Sequence, residues 1–200
     1  MHARGRGPRG AGLSSAVVRR LFVAVDPPDD ARAHLSAALE TLHGLPGEPR
    51  WTPPGRWHLT LLFLGAVPDR QVADLVAAVG PQVLAAPLGR LRLAGAGRFG
   101  PPRRPQVAWI GLDGDVSAVT DLARRLAAEG RRLRLEVEDR PFRPHLTVGR
   151  WRPGHPADGG VIDRLAGYRG PDWPVREVRL LESHLGPRPT YDELVTWPVG

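Results

Sequence analysis

Two histidine–threonine pairs are the residues in this sequence whose types and spacing could do chemistry. The tripeptide His-Leu-Thr occurs as His58-Leu-Thr60 and again as His145-Leu-Thr147, 87 residues later, and an arginine- and proline-rich segment precedes each copy. Side chains two apart on a β-strand point to the same face, so each histidine projects together with its threonine while the neighbouring apolar residues face the core. One such match is a weak signal, but two in matching contexts predict a functional site.

Two facing histidines suit the cleavage of a phosphorus–oxygen bond. An imidazole titrates near ~6.5, so at neutral pH one can accept the proton of an attacking water while the other donates a proton to the departing oxygen. Threonine hydroxyls can donate hydrogen bonds to the non-bridging phosphate oxygens, which carry the charge of the transition state. This scheme requires no metal and no cofactor. The near-symmetry of the two motifs leaves open which histidine is the acid.

The sequence resembles the two-histidine phosphoesterase superfamily, and within it the RNA 2′,3′-cyclic phosphodiesterases, which are also called 2′-5′ RNA ligases. The hallmark of that family is a pair of His-x-Thr-x motifs, matched here by His58-Leu-Thr60-Leu and His145-Leu-Thr147-Val. The resemblance covers about residues 20–199 and includes five further segments: residues 21–27, 62–65, 107–111, 143–150, and 183–186 with Tyr191.

The resemblance implies an activity and a role for each site residue. It implies hydrolysis of RNA 2′,3′-cyclic phosphate ends to 2′-phosphomonoesters, with His58 as proton donor to the leaving 3′-oxygen and His145 as proton acceptor. Thr60, Thr147 and Arg150 would bind the substrate, which is an RNA end or a small cyclic nucleotide. Arg150 lies three residues after Thr147, so on a regular strand it would point away from the site. Its role therefore requires a bulge or a bend.

Three alternative functions stay open. A 2′-5′ RNA ligase would act in the same site, with no residue to distinguish it, and a phosphodiesterase of small cyclic nucleotides would use the same residues. A non-catalytic RNA-binding protein is the third alternative, which the intact acid–base pair disfavours because binding alone does not need it.

Hydrophobic periodicity predicts an α+β protein. The resemblance makes this the bilobal two-histidine phosphoesterase fold, with two pseudo-symmetric antiparallel-sheet lobes and outer helices around a central cleft. Helices are predicted at residues 31–42, 69–79, 115–128 and 161–165. Strands are predicted at residues 20–25, 58–64, 88–94, 106–112, 132–138, 145–148, 175–185 and 191–197.

Composition and charge limit the classes of protein. The chain has no cysteine and no lysine, and its 28 basic residues are all arginine. Five arginines fall within the first 20 residues. The other 180 residues contain 23 arginines and 21 carboxylates, so their net charge is nearly zero and composition predicts no broad phosphate-binding surface. No apolar run approaches the length of a membrane helix. We expect a cytoplasmic monomer with a disordered Gly/Arg-rich tail at residues 1–16 and a single domain at residues 17–200.

Two aromatic residues beside the first motif are candidates for stacking on a nucleobase. Trp57 precedes His58, and Phe63 follows Thr60 by three residues. Aromatic side chains often stack on unpaired bases in RNA-binding sites. Core packing is the favoured role for Phe63.

Overall fold

The computed structural model describes residues 17–101, 103–186 and 189–200, and the tail predicted at residues 1–16 lies outside them. Nine strands and four α-helices occur in this described part. The strands are β1 (Val18–Val25), β2 (Arg50–Trp51), β3 (Leu59–Pro68), β4 (Arg90–Phe99), β5 (Val107–Gly114), β6 (Leu146–Arg150), β7 (Arg169–Pro174), β8 (Glu177–His184) and β9 (Thr190–Pro198). The helices are α1 (Asp29–Glu40), α2 (Val72–Leu84), α3 (Val116–Arg132) and α4 (Gly160–Asp163).

The strands form one antiparallel sheet with two halves. Its order is β7-β4-β5-β6-β3-β1-β8-β9, and β2 pairs separately with β6. Strands β3, β1, β8 and β9 make a terminal lobe, and strands β6, β5, β4 and β7 make a central lobe. The two lobes join where β3 and β6 pair at Leu59 and Leu146. The predicted α+β class with two antiparallel lobes is confirmed.

The helices cover one face of the sheet and cross between the lobes. Helix α1 follows β1 of the terminal lobe but packs against β4 and β7 of the central lobe, while α3 follows β5 of the central lobe and packs against β3. Helix α2 packs against α3 and β9, and α4 against β4. Each lobe is therefore completed by a helix whose preceding strand belongs to the other lobe.

Alternation of side chains along the strands separates the helix-covered face from the open face. In β1, Leu21, Val23 and Val25 join the large core beneath α2 and α3. Phe22 and Ala24 point the other way and form a small apolar cluster on the open face. Helix α3 contributes a buried stripe with helical spacing, as its sequence predicts: Val119, Leu122 and Leu126. This burial on one face leaves the other face available for a site.

The strand predicted at residues 132–138 is wrong. Helix α3 continues to Arg132, Arg134 then adopts a positive φ of 58°, and the following residues pair with no strand. The apolar–polar alternation arises because the segment packs apolar side chains back onto the helix end. Leu135 is 8% exposed, and Val137 lies against Gly130. Alternating apolar and polar residues form a strand only where a neighbouring strand supplies the backbone hydrogen bonds.

Strand β7 was not predicted from the sequence. Its residues, RGPDWP, include glycine and two prolines, which weaken any strand signal. Because β7 lies at the edge of the sheet and pairs only with β4, its prolines interrupt no central ladder. No helix in the described ranges is both long and apolar enough to cross a membrane.

Candidate active site

The two histidine–threonine motifs meet where the lobes join. Leu59 and Leu146, which pair across the junction, directly follow the two histidines and are 2% and 0% exposed. Because neighbouring strand residues face opposite sides of a sheet, the residues on either side of these leucines point to the open face. A groove of about 550 Å³ there is lined by all four motif side chains: His58, Thr60, His145 and Thr147.

A β-bulge brings Arg150 into the same groove. Thr147 of β6 pairs with Trp109 of β5. The adjacent residue of β5, Ala108, pairs with Gly149, so one residue of β6 is left without a partner. Such an extra residue shifts the alternation by one, and Arg150 consequently lines the groove with Thr147. The expected role of Arg150 required a bulge or a bend in its strand, and β6 has such a bulge.

A backbone carbonyl two residues earlier orients each histidine ring. Nδ1 of His58 lies 3.0 Å from the carbonyl oxygen of Arg56, and Nδ1 of His145 lies 2.6 Å from that of Arg143. A carbonyl only accepts, so in both rings Nδ1 carries the proton and donates it. Nε2 at the opposite edge of each ring is then free to accept a proton, or to donate one when the imidazole is charged.

Burial disfavours the charged form of both imidazoles. It lowers the pKa of His58 from its ordinary value near 6.5 to about 4, and the charge of His145 acts in the same direction. Burial also lowers the pKa of His145, helped by the positive charge of Arg150, while the Arg143 carbonyl opposes the change. Both effects disfavour the imidazolium, because it is a cation that loses water or meets another cation. A bound anion would reverse them.

Aromatic rings hold both imidazoles in place. The ring of Phe22 lies 4.8 Å from that of His58, centroid to centroid, and Tyr191 meets His58 edge to face at 5.2 Å. Phe99 meets His145 edge to face at 4.9 Å. These contacts support both rings, which line the groove.

The groove is strongly positive although the body of the protein is nearly neutral. Among the residues that the structure describes, four arginines and no carboxylate line it: Arg50, Arg56, Arg150 and Arg152. Arg50 of β2 lies directly opposite Arg150 of β6 in the ladder. Like charges placed opposite one another destabilise a sheet unless an anion lies between them. The arrangement is therefore suited to phosphate groups.

A recurring dipeptide could have identified three of these four arginines in the sequence. Arg-Trp occurs at residues 50–51, 56–57 and 150–151. In each copy the arginine lines the groove, while the tryptophan is half-buried at Trp51 and buried at Trp57 and Trp151. Trp151 fixes the backbone by donating from Nε1 to the carbonyl of Gly47 at 2.7 Å, whereas Nε1 of Trp51 donates to the carboxylate of Glu48.

A second cavity of similar size has a different character. It measures about 540 Å³, and its described lining combines five carboxylates with three arginines and no histidine. Its charges compensate one another; Asp26, for example, lies 3.2 Å from Arg179 and 3.5 Å from Arg32. Across the residues that the structure describes, no group of three or more histidine and acidic side chains has an arrangement that could hold a metal ion.

The structure buries Trp57 and exposes Phe63, the two aromatic candidates for stacking on a base. Trp57 is 2% exposed and donates its Nε1 hydrogen to the carbonyl of Thr52 at 2.8 Å, so it is a core residue. Phe63, for which core packing was favoured, is 41% exposed and lines the groove. The expectation for Phe63 is wrong because β3, like β6, carries a bulge that shifts its alternation.

Comparison with known proteins agrees with this geometry. The model of the 2′-5′ RNA ligase superfamily matches residues 26–187. This chain belongs to that superfamily. The membership predicted from the two motifs is confirmed, and the matched region contains both histidines, both threonines and Arg150.

Relatives within the superfamily match over nearly the whole chain. An RNA 2′,3′-cyclic phosphodiesterase of Archaeoglobus fulgidus is 32% identical over 176 residues, which cover 88% of this chain and 97% of that protein. One of Thermus thermophilus is 34% identical, covering 88% and 87%. Among solved structures, a Thermus thermophilus protein superposes with a TM-score of 0.77 at 31% identity, covering 90% and 97%. Escherichia coli LigT complexed with 3′-AMP gives 0.74 at 26% identity, covering 92% and 99%.

Proposed function

We propose that this protein hydrolyses the 2′,3′-cyclic phosphate ends of RNA to 2′-phosphomonoesters. The observation that carries the proposal is the meeting of two oriented imidazoles across a groove whose described lining contains arginines and no carboxylate. Relatives that match nearly the whole chain are RNA 2′,3′-cyclic phosphodiesterases by name. A similar structure, that of E. coli LigT, was solved with the nucleotide 3′-AMP.

The reaction assigns opposite proton transfers to the two histidines. Nε2 of His145 takes a proton from a water molecule as the water oxygen bonds to phosphorus. The bond between phosphorus and the 3′-oxygen breaks, and that oxygen takes the proton from Nε2 of His58. The products are a 2′-phosphate and a 3′-hydroxyl. His58 ends neutral and His145 charged, and proton exchange with solvent restores the starting state.

The remaining groove residues stabilise charge on the phosphoryl group. The hydroxyls of Thr60 and Thr147 flank the two imidazoles on the same strand face and are suited to donate to the non-bridging oxygens. Arg150 brings a fixed positive charge to the same end of the groove. Arg50 and Arg152 extend that charge beyond what a single cyclic phosphate needs, which favours an RNA end over a small cyclic nucleotide.

Hydrolysis is tested with purified protein and a short RNA that ends in a 2′,3′-cyclic phosphate, in the presence of EDTA. We expect a 2′-phosphate product, and we expect His58→Ala and His145→Ala each to lose at least ~10²-fold in turnover. His155→Ala is the matched control, because His155 is exposed and lies outside the groove. Unchanged turnover in either groove variant would refute the mechanism, and a 3′-phosphate product would reverse the assigned leaving group.

The same assay addresses the other activities considered for this site. Joining of 2′,3′-cyclic and 5′-hydroxyl ends would identify a ligase. Turnover of small cyclic nucleotides without turnover of RNA would identify a nucleotide phosphodiesterase, and binding without turnover a non-catalytic RNA-binding protein. A loss of RNA cleavage in EDTA would refute the metal-independent scheme.

We also propose that the chain is a monomer whose two lobes fold as one domain, and that it acts in the cytoplasm. Helix α1 follows a strand of the terminal lobe and packs on the central lobe, and α3 follows a strand of the central lobe and packs on the terminal lobe. This supports a single unfolding unit, because each lobe needs a helix that the other lobe's strand leads into. Light scattering after gel filtration should give a mass near 21.8 kDa. A concentration-dependent mass of twice that value would refute the monomer.

A further inference from the structure

Two exposed arginines at one end of the groove take no part in the proposed reaction at the cyclic phosphate. Arg50 of β2 pairs with Arg150 of β6, and Arg152 follows Arg150 by two residues, so all three line the groove. Paired residues of neighbouring strands have their Cβ atoms about 5 Å apart, and two residues of an extended chain span about 7 Å. Arg150 already supplies positive charge beside His145. Arg50 and Arg152 therefore add charge farther along the groove.

The backbone that carries these two arginines is held on both sides. Thr52 donates its backbone N–H to the carbonyl of Val148 at 2.8 Å, which continues the pairing of β2 with β6 beyond Arg50. Trp151 donates its backbone N–H to the carbonyl of Gln106 at 3.0 Å, which extends the pairing of β6 with β5 by one residue. Because the two side chains project from ordered backbone, a ligand that binds them has little order to create.

The positive charge at this end of the groove is not compensated within the described part of the chain. The arginines that form ion pairs there all lie outside the groove: Arg19, Arg32, Arg92, Arg98, Arg124, Arg131, Arg132, Arg140, Arg169 and Arg179. Glu48 is the acidic residue nearest to Arg50 in the sequence. Its carboxylate instead accepts hydrogen bonds from the backbone N–H of Gly44 and from the indole of Trp51. Like charges held close together repel, so an anion that binds between them is stabilising.

An RNA end supplies a second anion close to the first. The anionic group nearest to a terminal cyclic phosphate is the phosphodiester on the 5′ side of the same nucleotide, one ribose away. Arginine binds phosphate through parallel N–H donors of its planar guanidinium, and its long side chain allows two neighbouring strands to reach one phosphate. The row from Thr147 through Arg150 to Arg152, with Arg50 beside it, therefore has the order that two consecutive phosphates of one strand require.

We infer that Arg50 and Arg152 form a second phosphate subsite, which binds the phosphodiester on the 5′ side of the terminal nucleotide. The groove then holds an RNA end by two consecutive phosphates, and the second subsite accepts any base because phosphate contacts carry no sequence information. A mononucleotide fills only the first subsite, so a dinucleotide that ends in a 2′,3′-cyclic phosphate is the smallest ligand that fills both. This inference rests on the proposed function, which it deepens by assigning the position of the second phosphate.

Kinetics with three substrates test the second subsite. The substrates are a nucleoside 2′,3′-cyclic phosphate, a dinucleotide that ends in the same group, and that dinucleotide with an uncharged methylphosphonate in place of its phosphodiester. We expect Arg50→Gln and Arg152→Gln each to lower kcat/KM for the charged dinucleotide by roughly tenfold, through KM. For the mononucleotide and the uncharged dinucleotide, kcat/KM should change by less than about twofold, because neither places a charge at the subsite.

The controls separate charge recognition from loss of structure. Turnover of the mononucleotide shows that a variant is folded. Arg124→Gln, at an exposed position of α3 outside the groove, should leave all three values unchanged. Arg152→Lys should lose less than Arg152→Gln, because it keeps the charge. Equal losses for the charged and the uncharged dinucleotide would overturn the subsite, and so would unchanged kinetics of the charged one.

A binding measurement separates this inference from the proposed hydrolysis. The dinucleotide product with a 2′-phosphate and its methylphosphonate counterpart are competed against a fluorescent RNA. If the charged form binds more tightly, Arg50→Gln loses that advantage and no substrate is turned over, the hydrolysis is refuted and the subsite stands. Turnover together with equal binding of the two forms would overturn the subsite and leave the hydrolysis standing.

Discussion

An anion in the groove should convert His58 into an acid. With a pKa of about 4, His58 is protonated in about one molecule per thousand at pH 7 when no anion lies beside it. The proposed reaction needs it protonated, and raising its pKa to about 7 requires about 4 kcal/mol of stabilisation of the imidazolium. One negative charge about 4 Å away supplies about 4 kcal/mol at an effective dielectric constant near 20. The phosphate itself is therefore sufficient to recruit the proton.

Sulfate is a suitable probe, because its charge stays constant between pH 4 and pH 8. The imidazole resonances of the seven histidines are followed by NMR across that range, with and without sulfate, and His58→Gln assigns the resonance of His58. We expect its pKa to rise from about 4 toward neutrality when sulfate is added. Chloride at matched ionic strength should leave it close to its starting value.

The exposed His155 is the internal reference for this titration. If His58 titrates near 6.5 without sulfate, burial does not control it and the reasoning fails. If sulfate changes the pKa of His58 no more than that of His155, the groove does not hold an anion near the imidazole. Either result would refute the coupling between substrate charge and the acid.

Three further predictions concern charge, pH and packing. Arg150→Gln removes a nearby positive charge, so the pKa of His145 should rise in the same NMR titration, and RNA affinity should become less dependent on salt. The unfolded state binds a proton at His58 as the pH falls through about 6.5, whereas the native state does so only near 4. The contribution of His58 to the free energy of unfolding should therefore be fully present above about pH 6.5, and the free energy should fall by up to about 3 kcal/mol as the pH drops to about 4. Urea titrations should show that this loss is absent in His58→Gln. Leu146→Ala, at the buried junction of the lobes, should lower the free energy of unfolding by about 2–5 kcal/mol, whereas Leu84→Ala should lower it by under about 0.5 kcal/mol. Tryptophan fluorescence and circular dichroism should show one coincident unfolding transition. Separate transitions for the two probes would contradict a single folding unit.

The two histidine–threonine motifs could be found in the sequence because their pattern is local. A histidine two residues from a threonine shares its face on any regular strand, and the flanking leucines identify the buried side. The repeat of that pattern predicted two equivalent strands that face one cleft. Helix stripes such as Val119, Leu122 and Leu126 in α3 were predictable for the same reason, since their period is set by the helix itself.

Errors arose where a local pattern depended on a partner that lies far away in the chain. Residues 132–138 alternate like a strand, yet they meet the end of α3 instead of a neighbouring strand. Strand β7 has a poor strand sequence, yet β4 provides the hydrogen bonds that fix it at the sheet edge. Hydrogen-bonding partners in a sheet are chosen by the whole fold.

The sequence by itself predicted the type of chemistry, the two histidine–threonine pairs proposed to perform it, and the class of fold. Only the tertiary structure decided which further side chains reach the groove. A bulge is a mismatch between two paired strands, so the presence of Arg150 and Phe63 in the groove depends on β5 and β1 as much as on their own strands. The positive charge of the groove likewise appears only when arginines distant in sequence, such as Arg50 and Arg150, are brought face to face.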